Sequence, residues 1–421
     1  MAQKEGAFYS YIAGGLGRAG GVSGSFIALA AYNAIQIGLY GLFGAVVGDF
    51  MTTKFGVEQP WWVWALSGLL VVGILGILQV DLNATVLAVL LLLECLAVVV
   101  FDVVSFGNPA GGSISFAGLD PGNLFAAGLG AVLALGIACF TGFESGAIYS
   151  EEVRDPRRTV ARATYIAVAF TGGFYALSAW ALTVATGPEN AQTASIEAGP
   201  GVVFGTLAEH AGTTISDVAY LLFVTSVLAA LLSFHNGVAR YLFALGRERV
   251  LPAYLSRTGV RTGAPAAGSL TQSVLALGVV VAFVLADRHP VVDLFTWLSG
   301  VSAVGVVLLM TLTSAAVVGF FRRRPEVEVN TWQRLVAPVL ATVLLFAVLV
   351  VLVVNFDALL APGSPRYLAW LLPGVTLVAG SAGLAWGLIL RANRPAVYAA
   401  VGRGVVEPTS TQEETPLTLS R

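Results

Sequence analysis

A short polar break interrupts one of the apolar stretches of this 421-residue chain, in the segment ACFTGFESGA at residues 138–147. Gly142 permits backbone conformations that other residues avoid. A charged side chain at the centre of a bilayer costs about 2.5–3.5 kcal/mol, so Glu144 is unfavourable there unless it has a use. We expect a helix that is interrupted at residues 140–143, with bared backbone groups that contact a ligand. A continuous helix that bends at Gly142, with Glu144 capping its second half, is the alternative.

The interruption would supply two kinds of binding group. Carbonyl groups at the end of the first half-helix would accept hydrogen bonds from an ammonium group. The acid would begin the second half-helix, where the positive end of the helix dipole favours a carboxylate. Small residues beside the acid would let another helix approach closely. The residues expected to contact a ligand here are Cys139, Phe140, Thr141, Gly142, Phe143, Glu144 and Ser145.

A second acid lies in the apolar segment VLAVLLLLECLAVVV, where Glu94 has apolar neighbours on both sides. A carboxyl group in such surroundings can bind and release a proton, so Glu94 and Glu144 are the candidates for proton coupling. A structural acid that is hydrogen-bonded to a neighbouring helix is the alternative for Glu94. Asp102 lies nearer the end of the same apolar segment, and we expect solvation at the membrane boundary there.

Membrane-spanning helices must position these residues. The chain is 57% hydrophobic and 11% charged, with a mean hydropathy of +0.83, whereas a soluble domain of this length needs far more charge to cover its surface. The apolar runs lack the alternation of a membrane β-barrel, and most reach the roughly 20 residues of a spanning helix, so an all-α membrane protein is predicted. The predicted spans are 21–48, 61–79, 84–106, 123–149, 162–186, 215–246, 267–286, 294–321, 335–356 and 367–391.

The basic residues predict the orientation of these helices. With Met1 inside and the spans alternating, all of the 22 lysines and arginines except Lys54, Arg288 and Arg366 fall on the inner side. We therefore expect a multi-pass protein of the cell membrane with both termini in the cytoplasm. The organisation predicts one membrane domain over residues 1–394 and a polar, disordered cytoplasmic tail over residues 395–421.

Several function classes lack their sequence signals. The two cysteines and three histidines show neither a disulfide framework nor metal-ligand spacing. The sequence shows no phosphate-binding loop, ATP-binding domain or Ser/His/Asp arrangement. We therefore expect neither an enzyme nor an ATP-driven pump, and no cofactor, metal or nucleic-acid partner. The expected partners are a small molecule, the lipid bilayer and protons.

Three motifs resemble those of one transporter family. GFESGAIYSEEVRDPRRTVARA (142–163) is similar to the sixth-helix motif of the amino acid–polyamine–organocation transporters, in which a Gly/Glu break precedes a half-helix, an acidic pair and basic residues around Asp-Pro. NGVARYLFALGRERVLP (236–252) resembles the end of the family's eighth helix. EGAFYSYIAGGLGR (5–18) resembles the approach to its third helix. Together the motifs extend the resemblance over nearly the whole chain.

The resemblance implies a LeuT-like fold of two inverted five-helix repeats plus two further helices. The ten predicted spans would correspond to helices three to twelve, so we expect helices one and two to be encoded upstream of Met1. By its spacing from Pro252, Phe234 falls where the family places an aromatic gate over the substrate; an aromatic side chain that only packs is the alternative. Asn236 and His235 beside it either face the cavity or hydrogen-bond to another helix. The implied cytoplasmic gate comprises Arg154, Asp155, Arg157 and Arg158; simple retention of arginines on the inner side is the alternative.

The resemblance and the two acids lead to one functional expectation. We expect a secondary active transporter, a permease that moves amino acids or related amines by proton-coupled symport or exchange. Acids at positions 94 and 144 favour a cationic amine, or a zwitterion that is carried with a proton. A non-transporting membrane sensor or subunit, or an inactive fragment of a permease, is the alternative.

Overall fold

Helices form the regular structure of the described chain. A computed structural model describes residues 8–78, 84–125, 128–143, 155–259, 263–327, 329–361 and 363–402, and these residues contain no β-strand. The α-helices, numbered in chain order, are α1 (Phe8–Leu16), α2 (Arg18–Phe55), α3 (Trp61–Leu78), α4 (Ala84–Gly107), α5 (Leu129–Phe140), α6 (Pro156–Thr186), α7 (Ala191–Ala198), α8 (Gly201–His210), α9 (Thr213–Arg247), α10 (Ala266–Leu285), α11 (Thr296–Arg323), α12 (Ala337–Val354), α13 (Leu368–Asn393) and α14 (Pro395–Ala400). Single π-helical turns, Pro290–Phe295 and Trp332–Val336, lead into α11 and α12.

Nine helices within the described ranges are long and apolar enough to cross a bilayer. They are α2, α3, α4, α6, α9, α10, α11, α12 and α13, and each coincides with one predicted span. The chain is therefore an all-α, multi-pass membrane protein. The remaining predicted span, 123–149, contains α5, whose 12 residues are too few to cross alone. Residues 144–154 lie outside the described residues, so a crossing at 123–149 stays a prediction.

The core of the fold surrounds α2, which contacts α1, α3, α9, α11 and α13. Its 38 residues extend for about 57 Å, so α2 is tilted or projects beyond the roughly 30 Å of hydrocarbon. Glycines let its neighbours approach closely. A Cβ atom at Gly44 would lie 2.5 Å from the Trp61 carbonyl oxygen, and one at Gly383 of α13 would lie 2.8 Å from the Val22 carbonyl oxygen. Close contact between helix backbones therefore holds α2 at the centre of the bundle.

Polar contacts join the Phe55 end of α2 to the beginning of α9, which runs antiparallel to it. The hydroxyl of Tyr220 donates to the carboxylate of Asp49 at 2.6 Å. The Nζ atom of Lys54 lies 2.5 Å from a carboxylate oxygen of Asp217. These contacts fix the two helices side by side at one end of the bundle, which matters because both contribute to the cavity described below.

The last described helix, α14, begins at Pro395, inside the segment that was predicted as a disordered tail. An ordered helix of six residues therefore occupies the start of that segment. Its Tyr398 ring lies 5.8 Å from the guanidinium of Arg18, at the first turn of α2. Residues 403–421 lie outside the described residues, and their disorder and cytoplasmic position stay predictions.

Candidate functional site

Helix α5 ends at the polar break that the sequence marks as an interruption. Its last residue is Phe140, and Thr141 has a ψ angle of 125°, which is not helical. Gly142 follows with a φ angle of 110°, a region that residues with a side chain rarely adopt. In the turn at 141–143, the N–H of Phe143 donates to the carbonyl of Phe140 at 3.2 Å. Helical hydrogen bonding therefore stops where glycine permits the backbone to change direction.

A cavity of about 300 Å³ lies beside this turn. Thr141 and Gly142 line it after the end of α5, together with Tyr32 from α2, and α9 forms the remaining wall. The volume falls at the lower end of the range that is typical of small-molecule pockets. Phe234 of α9 is among the lining residues, so the structure brings together three residues that the sequence predicted for a ligand site. The cavity is therefore the candidate functional site.

One face of α9 forms the largest wall of the cavity. The lining positions recur at intervals of three and four residues, which is the spacing of a single helical face. Three of them are small, and a Cβ atom at Gly237 would meet no heavy atom within 4 Å. Short side chains on this face thus leave the space that the cavity occupies. The lining residues of α9 are Ala230, Ser233, Phe234, Gly237, Val238 and Tyr241.

Aromatic rings gather at the end of the cavity that is nearer Arg247. The ring of Tyr241 lies 6.1 Å from that of Tyr32 across the cavity wall. On its other side, Tyr241 makes an edge contact with Tyr9 of α1, at 5.7 Å between ring centroids. All three rings are almost completely buried. The rings connect α1, α2 and α9 and separate the cavity from this end of the bundle.

The polar groups that face the cavity are few. Two carbonyl groups at the end of α5 already accept hydrogen bonds from the protein: that of Cys139 from the Tyr175 hydroxyl at 3.4 Å, and that of Phe140 from the Phe143 N–H. The carbonyl of Thr141 and the hydroxyl of Ser233 make no hydrogen bond with any other described residue. The Thr141 carbonyl and the Ser233 hydroxyl are therefore available to a ligand.

Other predicted residues lie elsewhere. Phe143 and Asn236 are half-buried and do not line the cavity. His235 is fully buried, and its Nε2 atom lies 2.7 Å from the Ser269 hydroxyl of α10. Of the two alternatives for His235, the structure therefore shows the hydrogen bond between helices. The predicted residues Glu144, Ser145 and Arg154 fall outside the described residues.

Glu94 is half-buried on α4 and hydrogen-bonded to α9. The hydroxyl of Ser226 donates to its Oε2 atom at 2.9 Å. Ser226 lies seven residues before Ser233, which is two helical turns, or about 10 Å, along the same face of α9. The hydrogen bond to a neighbouring helix, which was the structural alternative for Glu94, is thus present. It also places the acid against the helix face that lines the cavity.

The expectation that Asp102 is solvated at the membrane boundary is wrong. Its side chain is only 4% exposed, because α6 packs against this face of α4. The hydroxyl of Ser178 on α6 donates to the Oδ2 atom of Asp102 at 3.1 Å. The position of Asp102 near the end of an apolar run could not reveal this neighbour, which is contributed by a segment far away in the chain.

The residues that were predicted to form a cytoplasmic gate are only partly described. The side chain of Asp155 accepts a hydrogen bond from the backbone N–H of Arg158 at 3.4 Å and thereby caps the beginning of α6. The side chain of Arg158 is exposed, and that of Arg157 lies outside the described part of the structure. Asp155 forms no ion pair with a described residue. Their role in a gate therefore stays a prediction.

A buried carboxylate joins several elements at the Arg247 end of α9. Glu248 follows that helix directly; its Oε1 atom accepts from the Tyr9 hydroxyl at 3.2 Å and its Oε2 atom from the Gly402 N–H at 3.4 Å. Two residues further on, the indole N–H of Trp386 in α13 donates to the carbonyl of Val250 at 2.7 Å. The first and last described parts of the chain thus meet where the cavity-lining helix ends.

The sequence reasoning missed several residues of this site. Helical spacing counted from Phe234 would have found Gly237, Val238 and Tyr241, since they lie three, four and seven residues further along α9. No sequence signal places Tyr32 of α2 opposite them. Among the described residues, no group of three or more His, Cys, Asp or Glu side chains is arranged to hold a metal ion.

Comparisons with known proteins agree with this architecture. A family model described as "Amino acid permease" matches residues 1–378. Two proteins named "uncharacterized transporter", from Mycobacterium bovis and Mycobacterium tuberculosis, are each 29% identical to the chain over 195 residues. These alignments cover 44% of the chain and 40% of each relative, so the chain matches less than half the length of the curated relatives.

Proposed function

The chain belongs to the amino acid permease family, and from this premise we propose that it is a secondary active transporter for amino acids or related amines. We place it in the cell membrane with both termini in the cytoplasm, as the distribution of lysine and arginine favours. On this orientation the Arg247 end of α9 is cytoplasmic. The single observation that carries the proposal is the cavity between α2, the end of α5 and α9.

The chemistry of the cavity suits a ligand that carries an amino group. The carbonyl oxygen of Thr141 lies at the end of a helix, where the dipole is negative and favours a cation. A ligand ammonium group would donate to this oxygen, and the Ser233 hydroxyl would donate to a carboxylate or accept a second bond from the amine. Phe234 and Tyr32 supply apolar surface for the rest of the molecule. Glu144, where the next half-helix is expected to begin, would add a further contact.

The size of the cavity favours a small substrate. A volume of about 300 Å³ accommodates a single amino acid or a short amine rather than a peptide. Ala230, Ser233 and Gly237 create this space on α9, so substitutions at these positions would set the length of the substrate side chain that is accepted.

We further propose that transport is coupled to protons, as symport or exchange, with Glu94 and Glu144 as the carriers. The contact of Glu94 with Ser226 supports this role, since it connects the acid to the face of α9 that lines the cavity. Binding or release of a proton at Glu94 would change that hydrogen bond and thereby the position of α9 relative to α4. A change in the packing of α9 would in turn alter the wall of the cavity that holds the substrate.

Access from the cytoplasm requires the Arg247 end of the cavity to open. The tyrosine rings at that end and the hydrogen bonds of Glu248 would have to separate for a substrate to leave on this side. The basic and acidic residues Arg154, Asp155, Arg157 and Arg158 belong to the same side and would contribute to closing it. This closure would be the inner gate of the transport cycle.

Uptake into proteoliposomes tests the proposal. The purified chain, reconstituted into liposomes, is expected to take up one or more radiolabelled amino acids or amines saturably, and an inward proton gradient is expected to increase the rate. Binding of such compounds without transport would instead favour a membrane sensor. Absence of both uptake and binding across a panel of amino acids and amines would refute the proposed function.

A further inference from the structure

Asp102 is the most unusual acid in the described part of the membrane domain. It is 4% exposed, and the Ser178 hydroxyl at its Oδ2 atom is its one hydrogen-bond partner among the described residues. Its Oδ1 atom is buried and has no hydrogen-bond partner within the described ranges. Because a buried carboxylate with an unsatisfied oxygen is strongly unfavourable, something beyond Ser178 must compensate it.

No basic side chain provides that compensation within the described structure. Helices α6, α8 and α9 pack against α4, and none of their described charged groups contacts Asp102. On α8, His210 lies 3.9 Å from Glu209. On α9, Asp217 pairs with Lys54 and Tyr220 donates to Asp49. The other titratable side chains that the structure describes on these helices and on α4 are Glu94, Cys95, Arg158, Arg162, Tyr165, Tyr175, His235, Arg240, Tyr241 and Arg247.

A second buried oxygen that lacks a hydrogen-bond partner among the described residues lies on the same face of α4. Ser105 is fully buried, and its hydroxyl also lacks a hydrogen-bond partner among the described residues. It follows Asp102 by three residues, so the two side chains are neighbours on the helix surface. Together with Ser178 they place a carboxylate and two hydroxyls at the junction of α4 and α6. Oxygen ligands of this kind suit hard cations.

The charge of the site selects a cation with a single positive charge. One carboxylate neutralises one such ion, whereas a divalent ion would leave a net positive charge buried in the bundle. Compensation by a proton on the carboxyl group gives the same neutral result. One monovalent cation, either a proton or an alkali metal ion, would therefore neutralise the site.

The site is near one end of α4, and aromatic side chains lie one turn beyond it. Asp102 lies five residues, or about 8 Å, before the last residue of the helix. The ring of Phe106, one turn further on, lies 4.8 Å from that of Trp180 on α6. The Trp180 indole N–H donates to the Ser115 carbonyl at 2.9 Å, which holds the following loop over these rings. A cation would thus lie near the end of the helix, and the burial of Asp102 and Ser105 would shield it from water.

We propose that Asp102, Ser105 and Ser178 form a binding site for one monovalent cation between α4 and α6. The proposed function gives this site a role, as a second coupling site besides Glu94, but the binding itself can be measured without any substrate. The site is distinct from the cavity, because none of its three residues lines it.

Thermal unfolding of the purified chain in detergent tests the alkali-ion form of the proposal. Midpoints are measured in choline chloride, NaCl and KCl at equal ionic strength. NaCl or KCl is expected to raise the midpoint of the wild type relative to choline chloride, and Asp102→Asn is expected to abolish this difference. The matched control is Asp293→Asn, since Asp293 is also buried but its carboxylate accepts from the His289 N–H at 3.0 Å. This control should retain the effect of the alkali ion.

Carbodiimide labelling tests the proton form. The reagent attacks protonated carboxyl groups, so labelling of residue 102, located by mass spectrometry, is expected to decrease as the pH rises. If Asp102→Asn fails to fold, Ser105→Ala and Ser178→Ala replace it. Each is expected to raise the half-saturating salt concentration by about tenfold, or to shift the pH at which labelling is half complete.

The proposal is overturned if neither alkali salt raises the wild-type midpoint and residue 102 is not labelled at any pH. Substrate uptake separates this result from the proposed function. Uptake that persists while both cation tests are negative refutes the cation site alone. A cation effect that depends on Asp102, in a protein that takes up no amine or amino acid, refutes the transport function and leaves the site in place.

Discussion

The Ser226 hydroxyl donates a hydrogen bond to the Glu94 carboxylate at 2.9 Å and thereby joins two residues that are 132 positions apart in the chain. Ser226 continues the stripe of small residues at Ala230, Ser233 and Gly237, which leads along α9 into the cavity. An acid and the cavity thus share one helix face. This arrangement gives the proposed coupling a physical route, because a change at one end of the face alters packing at the other.

Glu94→Gln is expected to remove the stimulation of uptake by an inward proton gradient, since the amide cannot exchange a proton. Exchange of internal for external substrate should persist, because that mode needs no net proton movement. Uptake and exchange are measured in proteoliposomes over a range of external pH. Glu58→Gln, at an exposed acid between α2 and α3, is the control and should behave as the wild type.

Ser226→Ala refines this test. The acid remains but loses its hydrogen-bond donor, so we expect the pH profile to shift rather than to disappear. A profile that is the same in Glu94→Gln as in the wild type would exclude Glu94 from coupling, whatever the behaviour of the Ser226 variant.

Gly237→Leu is expected to abolish substrate binding and uptake while the protein stays folded. A Cβ atom at this position meets open space, so the leucine side chain would extend into the cavity and fill part of its volume of about 300 Å³. Binding is measured by scintillation proximity and folding by thermal unfolding. Gly278→Leu on α10 is the control, because Gly278 is also unobstructed but exposed on the outside of the bundle. Equal uptake by both variants would show that the cavity does not hold the substrate.

Gly142→Ala is expected to destabilise the protein by about 1–3 kcal/mol and to reduce uptake, because alanine is strained at a φ angle of 110°. The strain would be relieved only by moving the turn that presents the Thr141 carbonyl. Gly136→Ala, within α5, is the control: it adds the same methyl group at an unobstructed position. Helix propensity alone makes that change neutral or stabilising by up to about 1 kcal/mol. Wild-type uptake by Gly142→Ala would argue against a role for the turn.

Tyr9→Phe is expected to lower the free energy of unfolding by about 1.5–3 kcal/mol, since it removes a hydrogen bond to the buried Glu248 carboxylate. Denaturation in detergent measures the loss. Tyr11→Phe, on the same helix but exposed, should have no effect. If the hydroxyl of Tyr9 also holds the inner end of the cavity closed, this variant will release bound substrate faster than the wild type. Identical stability and release rates would remove this contact from both roles.

Much of the fold follows from hydrophobicity, because a bilayer admits few alternatives. A helix must satisfy its own backbone in lipid, so the length of each apolar run places each span, as the nine long helices of the described ranges show. The end of α5 was also predictable, since Gly142 and Glu144 are poorly suited to an uninterrupted helix. The helical start of the polar tail was not predictable, because α14 is anchored by a contact between Tyr398 and Arg18 that the local sequence does not reveal.

The site was predictable only in part. Thr141, Gly142 and Phe234 stood out by type or by motif, and the structure brings them to one cavity. Tyr241 could be found only by counting helical spacing from Phe234. Tyr32 could not be found, because an apolar helix carries no periodicity to distinguish the face toward a cavity from the face toward lipid. The burial of Asp102 was not predictable for a related reason. It depends on Ser178 and its neighbours on α6, and the local sequence around Asp102 does not reveal a partner from a distant segment.

The carboxylate of Glu248 links the two ends of the described chain, since it accepts hydrogen bonds from the first described helix and from the last described residue. Tension applied near either end of the polypeptide would therefore be transmitted to the helix beside the cavity through a handful of bonds. Bulky fusions at the termini are therefore expected to slow transport. Reporter groups are better attached at the other end of the bundle, in the connection between α2 and α3.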